Sequence, residues 1–370
     1  MDEVSPKQNV VEVSPEQNVV EVSPKQNVTQ NSMSNPADEE GIITSDEKAA
    51  IKSMNTMNKS ESVPVYWVNL NKSKTRRKYF SEQLENLGMW NQRIRAVTPE
   101  DDVVKGATLA VIPAVQHTSV ELSCVVSHLI AMHTAIYDEM SKDNQYALIT
   151  EDDVSFEMDV DFLTLAELAP KDFGALQLMT SSSLVVKNYW NKYKEDLSIH
   201  KTNASTKHGI TAFPDELIWK RRKVNSQYWS TQAYLINKKI AKSFIDRVVS
   251  YNSTTSLYSI KIVNPSEKLF PCSKPDRCFL PYRIVGDTYL YSGLEPSYLS
   301  RIPIFNGASV GENSTIHAKK SKNTAHIKSF SEIAVVLDDV RENPLLLPSY
   351  IRIKNNTNTN TNMNFIPSAL

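Results

Sequence analysis

The sequence predicts an α/β fold in which helices flank a mostly parallel sheet, with disordered tails at both ends. Two observations support this prediction. Apolar, β-rich segments alternate with longer segments of helical periodicity between residues 63 and 153, an order typical of α/β layers. The two ends of the chain are polar and repetitive, which leaves residues 63–353 as the part able to bury a core.

The elements follow in chain order from hydrophobic periodicity. Short apolar segments predict strands at 63–70, 93–97, 146–150, 174–179, 232–236 and 333–337. Segments with one apolar face predict helices at 71–87, 119–140 and 238–251, the first of which ends at Gly88. Residues 185–230 are rich in Lys, Trp and Tyr and lack a clear period, so we expect long loops over one edge of the sheet.

The tails are predicted from repetition. Residues 3–29 hold three copies of a nine-residue repeat, EVSPKQNVV, EVSPEQNVV and EVSPKQNVT. Each copy contains Pro and no aromatic residue, so we expect residues 1–62 to be disordered; an adaptor peptide or a polymorphic viral or parasite tail is the alternative interpretation. Residues 354–370 are also of low complexity. Between the tails we predict one domain at 63–300 and an extension at 301–353 packed on it.

Composition argues against several classes of function. The chain has 41 Lys+Arg against 42 Asp+Glu and a formal charge of −1, which argues against a strongly basic nucleic-acid binder. Only 9 of 370 residues are glycine, and neither G-x-G-x-x-G nor G-x-x-x-x-G-K-S/T occurs. We find no signal peptide and no apolar stretch of 18 residues. We therefore expect no membrane span and a cytoplasmic protein, or one of a virion or viral factory if the gene is viral.

The three cysteines are too few for a disulfide scaffold. Cys124 lies in an apolar run and is interpreted as a small buried residue. Cys272 and Cys278 flank a five-residue loop and would form either a short disulfide or two free thiols.

The third predicted strand runs directly into three adjacent carboxylates, Glu151, Asp152 and Asp153. In open α/β sheets the C-terminal end of a strand is where ligands bind. Adjacent carboxylates repel one another, so a cation is the natural compensation. Mg²⁺ or Mn²⁺ accepts such oxygen ligands together with substrate phosphates. The alternative is a solvated acidic turn or a helix N-cap.

Four segments, taken in order, resemble glycosyltransferase family 25, the group that contains lipooligosaccharide and procollagen galactosyltransferases. They are VNLNKSKTRR at 68–77, ELSCVVSHL at 121–129, ALITEDDV at 147–154 and WSTQAYLI at 229–236. The resemblance covers about residues 63–300. Where the family pattern has glycine this chain has Val120, Ser123 and Ser230, and Lys72 stands in place of an arginine.

The resemblance implies a GT-A fold and an enzyme that transfers a hexose, galactose or glucose, from a UDP-sugar to a glycan or protein acceptor with inversion. A divalent ion, Mn²⁺ or Mg²⁺, would stabilise the negative charge that develops on the leaving diphosphate. Asp153 is predicted as the direct metal ligand and Glu151 as a second one. Glu151 or Asp152 would instead support the ion through water or hold the ribose hydroxyls.

Five further residues in the matching segments are expected around the donor: Asn69, Arg76, Glu121, Ser127 and His128. Arg76 would reach a phosphate, pair with the acidic cluster, or be a surface cation. Ser127 and His128 lie in the predicted core helix, where a pocket position and a core histidine bonded to a carbonyl are both open. Glu121 would equally be a charge that favours the start of that helix.

Inversion needs a carboxylate base for the acceptor hydroxyl. Asp287 is the preferred candidate because it resembles a later P-V-D-x-x-L segment of the family, and Glu216 is the second. For each, a helix cap or a solvated acid is the alternative. Trp190, Tyr228 and Trp229 would stack on a sugar face or pack in the core.

Two other functions remain open. The missing glycines and the polar tails favour a catalytically inactive family relative that acts as a binding or structural protein, such as a virion component. A metal-dependent phosphoryl or nucleotidyl transferase would use the same acidic cluster.

Overall fold

The computed structural model describes residues 62–109, 119–204, 215–222, 228, 230–262, 286–307 and 320–354. The predicted tails, apart from Ser62 and Lys354, lie outside the described residues, as do Cys272, Cys278 and Trp229.

The described residues contain fourteen strands and nine α-helices. The strands are β1 (Val65–Asn69), β2 (Asn91–Arg95), β3 (Thr108–Leu109), β4 (Tyr146–Glu151), β5 (Val154–Ser155), β6 (Met158–Val160), β7 (Ala175–Gln177), β8 (Trp219–Arg221), β9 (Ala233–Asn237), β10 (Val249–Asn252), β11 (Leu257–Ile262), β12 (Ser297–Ser300), β13 (Asn306–Gly307) and β14 (Ile351–Ile353). The helices are α1 (Lys74–Asn86), α2 (Asp102–Lys105), α3 (Ser119–Tyr137), α4 (Phe162–Glu167), α5 (Ser183–Ala204), α6 (Asp215–Ile218), α7 (Lys238–Val248), α8 (Gly286–Gly293) and α9 (Lys320–Glu342).

Seven strands form the central sheet, in the order β2-β1-β4-β9-β7-β12-β8. Five of them, β2, β1, β4, β7 and β12, point in one direction, and β9 and β8 run the opposite way. The predicted α/β fold with a mostly parallel sheet is therefore confirmed, with two reversed strands that the sequence did not predict. Val68 pairs with Glu151, and Thr150 pairs with Ala233. The C-terminal ends of β1 and β4 and the N-terminal end of β9 therefore lie at the same end of the sheet.

The sheet has a separate hydrophobic core on each face. Val65 and Trp67 of β1 belong to one core, and Tyr66 and Val68 belong to the other. This alternation is the period-2 pattern of a strand buried on both faces. Apolar side chains of α1, α5 and α9 fill the first core, and those of α3, α7 and α8 fill the second.

Helix α3 is long and strongly apolar. By length and composition alone it could cross a membrane, and 61 % of its apolar window is buried inside the protein. The expectation that the chain has no apolar stretch of 18 residues does not hold for this helix. The helix packs against β1, α7 and α8, so its apolar surface serves the second core.

Two predicted elements were wrong. Residues 333–337, predicted as a strand, lie inside α9, where Ile333, Val336 and Val340 are buried at helical spacing. Five apolar residues are too few to separate the two periods. Much of the predicted loop at 185–230 is the long helix α5 instead.

Helix α5 places Trp190 in the core. Its indole Nε1 donates to Asp339 Oδ2 at 2.8 Å, and its ring stacks on Tyr193. Of the two interpretations of Trp190, core packing is therefore the one that holds.

The segment after residue 300 packs on the sheet-bearing part in three places. β13 pairs with β5, and β14 pairs with β6. Helix α9 lies against α5, with Lys194 Nζ 2.6 Å from Asp339 Oδ2. The division into a domain at 63–300 and an extension at 301–353 stays a prediction.

Candidate functional site

The three predicted carboxylates lie where β1, β4 and the start of β9 meet. Asn69 ends β1, Glu151 ends β4, and the Glu151 amide donates to the Gln232 carbonyl at 2.8 Å. The chain turns sharply after Glu151, so Asp152 and Asp153 follow at the same edge. Parallel pairing of β1 with β4 thus brings Asn69 and Asp152, which are 83 positions apart, into one cluster.

Arg76 is buried against this cluster. Its Nη1 lies 3.4 Å from Asp152 Oδ1 and 3.7 Å from Asp153 Oδ2, and its side chain is 7 % exposed. Asn69 Nδ2 donates to Asp152 Oδ2 at 2.5 Å. The predicted pairing of Arg76 with the acidic cluster is therefore confirmed, and the surface-cation alternative is wrong.

Asp152 and Asp153 are held in surroundings that resist ionisation. Burial raises the pKa of Asp152 to about 6, against the opposing effects of Arg76 and Asn69. Burial and the neighbouring charges of Glu151 and Asp152 raise the pKa of Asp153 to about 7. Asp153 is the more open of the two, with a side chain 24 % exposed, so it is the carboxylate best placed to meet a ligand.

Glu151 occupies a different environment. Its Oε1 accepts from Thr231 Oγ1 at 2.7 Å and lies 3.3 Å from His128 Nε2. Burial opposes its ionisation, but the hydrogen bonds and charge of His128, Thr231 and Arg76 outweigh burial and lower its pKa. His128 Nδ1 in turn bonds Tyr234 Oη at 3.0 Å. His128 is thus a buried histidine that bonds a site carboxylate rather than a carbonyl.

Cys124 joins the same group. The thiol, an imidazole nitrogen of His128 and a carboxylate oxygen of Glu151 lie within 4.8 Å of one another. Burial and then the charge of Glu151 raise the pKa of Cys124. The prediction of a small buried apolar residue missed this: Cys124 is half-buried and borders the carboxylates.

A short loop links the acidic cluster to Asp287. Gln232 Nε2 donates to Asp153 Oδ1 at 3.2 Å, and Ser230 Oγ donates to Gln232 Oε1 at the same distance. The Ser230 amide donates to Asp287 Oδ2 at 3.2 Å. Burial raises the pKa of Asp287, against the opposing charge of Arg222. The structure therefore brings the preferred base candidate to the same site.

Ser230 has a backbone that favours glycine. Its φ is +147°, a region that side-chain-bearing residues rarely adopt. The pattern that this segment resembles has glycine at this position, and in this chain a serine holds the positive φ. Its carbonyl accepts from Tyr291 Oη at 3.0 Å, so hydrogen bonds hold the loop on both sides of the strained residue.

The remaining predicted residues, Ser127, Glu121 and Glu216, lie on helices α3 and α6. Ser127 Oγ accepts from the Val97 amide at 3.0 Å and donates to the Ser123 carbonyl at 2.7 Å, which fixes α3 against the end of β2. Glu121 is half-buried in the first turn of α3. Glu216 lies on α6, and its side chain is outside the described residues.

Sequence reasoning missed several side chains of this edge. Arg77 and Arg93 both reach Asn69, while Thr231 and Gln232 bond the carboxylates. Thr231 and Gln232 stood inside a recognised segment, next to the glycine-replacing serine, and that position was the available signal. Arg93 carried no such signal, because its contact with Asn69 depends on the pairing of β2 with β1.

Tyr228 contributes backbone and ring contacts away from the carboxylates. Its carbonyl accepts from Gln177 Nε2 at 3.1 Å and from Arg222 Nη1 at 2.8 Å. Its hydroxyl bonds that of Tyr189.

The donor chemistry of the cluster suits a hard divalent cation. Asp152 and Asp153 lie within 4.0 Å of one guanidinium, that of Arg76, and Glu151 lies 3.3 Å from His128. One arginine is thus paired with two of three adjacent carboxylates. The carboxylate oxygens of Asp153 are partly exposed to solvent, and Glu151 lies beside Asp153. The Cys124–His128–Glu151 group offers S, N and O donors that suit zinc better, but there His128 and Glu151 already bond each other.

The sequence model of glycosyltransferase family 25, a family described as LPS biosynthesis protein, matches residues 62–259 of this chain. These are 198 of the 370 residues and include every carboxylate of the cluster. The chain belongs to glycosyltransferase family 25. Membership of this family makes the chain a glycosyltransferase, an enzyme class that uses a sugar donor and a glycan acceptor. A comparison with proteins of curated function found no match. Asp287 lies beyond the matched residues.

We predict that Ser230→Gly stabilises the protein relative to Ser230→Ala. Both variants lose the hydroxyl, but only glycine relieves the positive φ. The expected difference in the free energy of unfolding is about 1–2 kcal/mol, measured by urea denaturation. Equal stability of the two variants would show that this backbone carries no strain.

We also predict that Asp153→Asn stabilises the metal-free protein in a pH-dependent way. The folded-state pKa of Asp153 is raised from 3.8 to about 7. The stability linked to this carboxyl is therefore present below pH 3.8 and lost as the pH rises through 7. The variant should melt about 2–4 °C higher at pH 8 in EDTA, and the gain should vanish near pH 4.

The control for this prediction is Asp102→Asn, which changes a fully exposed carboxylate. It should leave the melting temperature unchanged at both pH values. A gain for Asp153→Asn that is as large at pH 4 as at pH 8 would mean that burial of charge is not the cause.

Proposed function

We propose that this family-25 chain transfers a hexose, galactose or glucose, from a UDP-sugar to a glycan or protein acceptor, with inversion and with Mn²⁺ or Mg²⁺ bound at Asp153. The observation that carries the proposal is the cluster of three adjacent carboxylates at the end of β4, two of which share a single ion-pair partner, Arg76. A nucleoside diphosphate leaves with negative charge, and a divalent ion at this edge would neutralise both the carboxylates and the phosphates.

The chain's own residues divide the work of holding such an ion. Asp153 would bind it directly, because its carboxylate is the most exposed of the three. Glu151 would be the second ligand, turned by its bonds to Thr231 and His128. Asp152 is held by Asn69 and Arg76, so its role would be to keep the cluster negative and to fix Arg76 beside Asp153.

Asp287 is the proposed base. A carboxylate that takes the acceptor proton works better when its pKa is raised toward neutrality, and burial acts on Asp287 in that direction. Its Oδ2 is fixed by the Ser230 amide, in the loop whose Gln232 bonds Asp153. Donor and acceptor chemistry would therefore be coupled through three residues of one loop. Glu216 remains the second candidate.

The metal part of the proposal is tested by donor hydrolysis. Wild-type protein should hydrolyse UDP-galactose or UDP-glucose slowly when Mn²⁺ is present and not in EDTA. Asp153→Asn should lower this rate at least about 100-fold, because the ion loses its direct ligand. Asp159→Asn is the matched control, since Asp159 is an exposed carboxylate in the adjoining β6, and it should keep full activity.

Two outcomes would contradict this part. Turnover that is retained in Asp153→Asn would refute the ion site. A wild-type protein that turns over neither donor would refute the UDP-hexose assignment and favour the inactive family relative.

The base is tested separately with Asp287→Asn. This variant keeps the shape of the side chain but cannot accept a proton, so sugar transfer to an acceptor should fall about 100–10,000-fold. Mn²⁺-dependent binding of UDP, measured by calorimetry, should change little. Loss of UDP binding together with activity would instead give Asp287 a role in holding the donor site together.

A further inference from the structure

Three arginines lie around Asn69 and its partner Asp152, and among the described residues Arg76 is the one of the three with an ion pair within 4.0 Å. Arg76 lies against Asp152 and Asp153. Arg77 Nε and Arg93 Nε both donate to the same oxygen, Asn69 Oδ1, at 3.1 and 2.9 Å. Two cations thus converge on one neutral amide oxygen.

The other bonds of this pair also go to neutral oxygens. Arg77 Nη2 donates to the Asn71 carbonyl at 3.0 Å. Arg93 Nη2 donates to Asn71 Oδ1 at 2.6 Å and to the Asn69 carbonyl at 3.3 Å. Within the part of the chain that the structure describes, the ion pairs within 4.0 Å include none to Arg77 or Arg93. Burial and then the charge of Arg77 lower the pKa of Arg93, and Asp152 opposes this.

The two guanidiniums are half-buried and their bonds to Asn71 are exposed. A ligand in solution can therefore reach them. Arg95, two residues further along β2, has an ordinary structural role, because its Nη2 lies 2.7 Å from Asp101 Oδ1. Arg93, on the same strand, donates instead to the neutral oxygens of Asn69 and Asn71.

Asn69 separates this positive pair from the negative cluster. Its amide nitrogen donates to Asp152, while its amide oxygen accepts from Arg77 and Arg93. Cations and carboxylates therefore stand on opposite sides of one side chain. A ligand that carries phosphate and binds a divalent ion would match both sides, since guanidinium groups bind phosphate oxygens through forked hydrogen bonds.

We propose that Arg77 and Arg93 form a phosphate-binding site beside the acidic cluster. The inference deepens the proposed function and rests on it for the identity of the ligand. The shared chemistry is an anionic phosphate, whose source is either the diphosphate of the nucleotide-sugar donor or a phosphate group on the acceptor glycan. The donor source places the pair where the leaving diphosphate gains charge.

The test measures binding to the full chain by calorimetry with Mn²⁺ present, with UDP, UMP, uridine and glucose 6-phosphate as probes. Arg77→Gln and Arg93→Gln should each weaken UDP and UMP binding about tenfold or more and leave uridine binding unchanged. Arg95→Gln, the control on the same strand, should bind all probes as the wild type does. Because Arg77 and Arg93 lie on different elements, misfolding of one variant leaves the other informative, and melting temperatures identify it.

The outcomes separate this inference from the proposed function. UDP binding that is unchanged in both variants would overturn the phosphate site while leaving the nucleotide-sugar donor intact. An equal loss of uridine binding, or a wild type that binds no phosphate probe, would also overturn it. Binding of glucose 6-phosphate but not UDP, dependent on both arginines, would support the site and assign the phosphate to the acceptor, against a UDP donor.

Discussion

Three adjacent carboxylates are buried or half-buried at the end of β4, and the architecture around the site depends on how they are held there. A buried carboxylate is tolerated only with a partner or a hydrogen bond. Arg76 supplies the partner from the start of α1, and Asn69 supplies the bond from the end of β1. Strand β1, helix α1 and strand β4 are consequently fixed to one another by charge as well as by the apolar cores. A ligand that binds these carboxylates directly must therefore bring positive charge.

The strands that build this edge were the most predictable part of the fold. β1 and β4 are buried on both faces, so their residues form continuous apolar runs, a signal that needs no tertiary information. The direction of β9 was not predictable, because an isolated strand carries no mark of which neighbour it will join. The strand predicted at 333–337 failed for a related reason, since its helical period becomes visible only across all of α9.

The acidic residues could be predicted from the sequence, and their partners only in part. Glu151, Asp152 and Asp153 are consecutive, and Arg76 lies in a recognisable segment. Arg93 lies on a different strand and reaches Asn69 only because β2 pairs in register with β1. The identity of a partner across a sheet depends on register, and register is decided by the packing of both faces at once. Contacts within one segment were therefore easier to predict than contacts between strands.

The reversal of β9 has a consequence for how such a protein can diversify. Because β9 runs against β4, the chain enters the sheet at the very edge where β4 delivers its carboxylates. Thr231 and Gln232, which precede β9, bond the carboxylates, while the residues that follow β9 continue into α7 and the core. Replacement of these two side chains can therefore change the surroundings of the carboxylates while the strand pairing that begins at Ala233 is kept. The sheet can stay constant while the side chains around the site change.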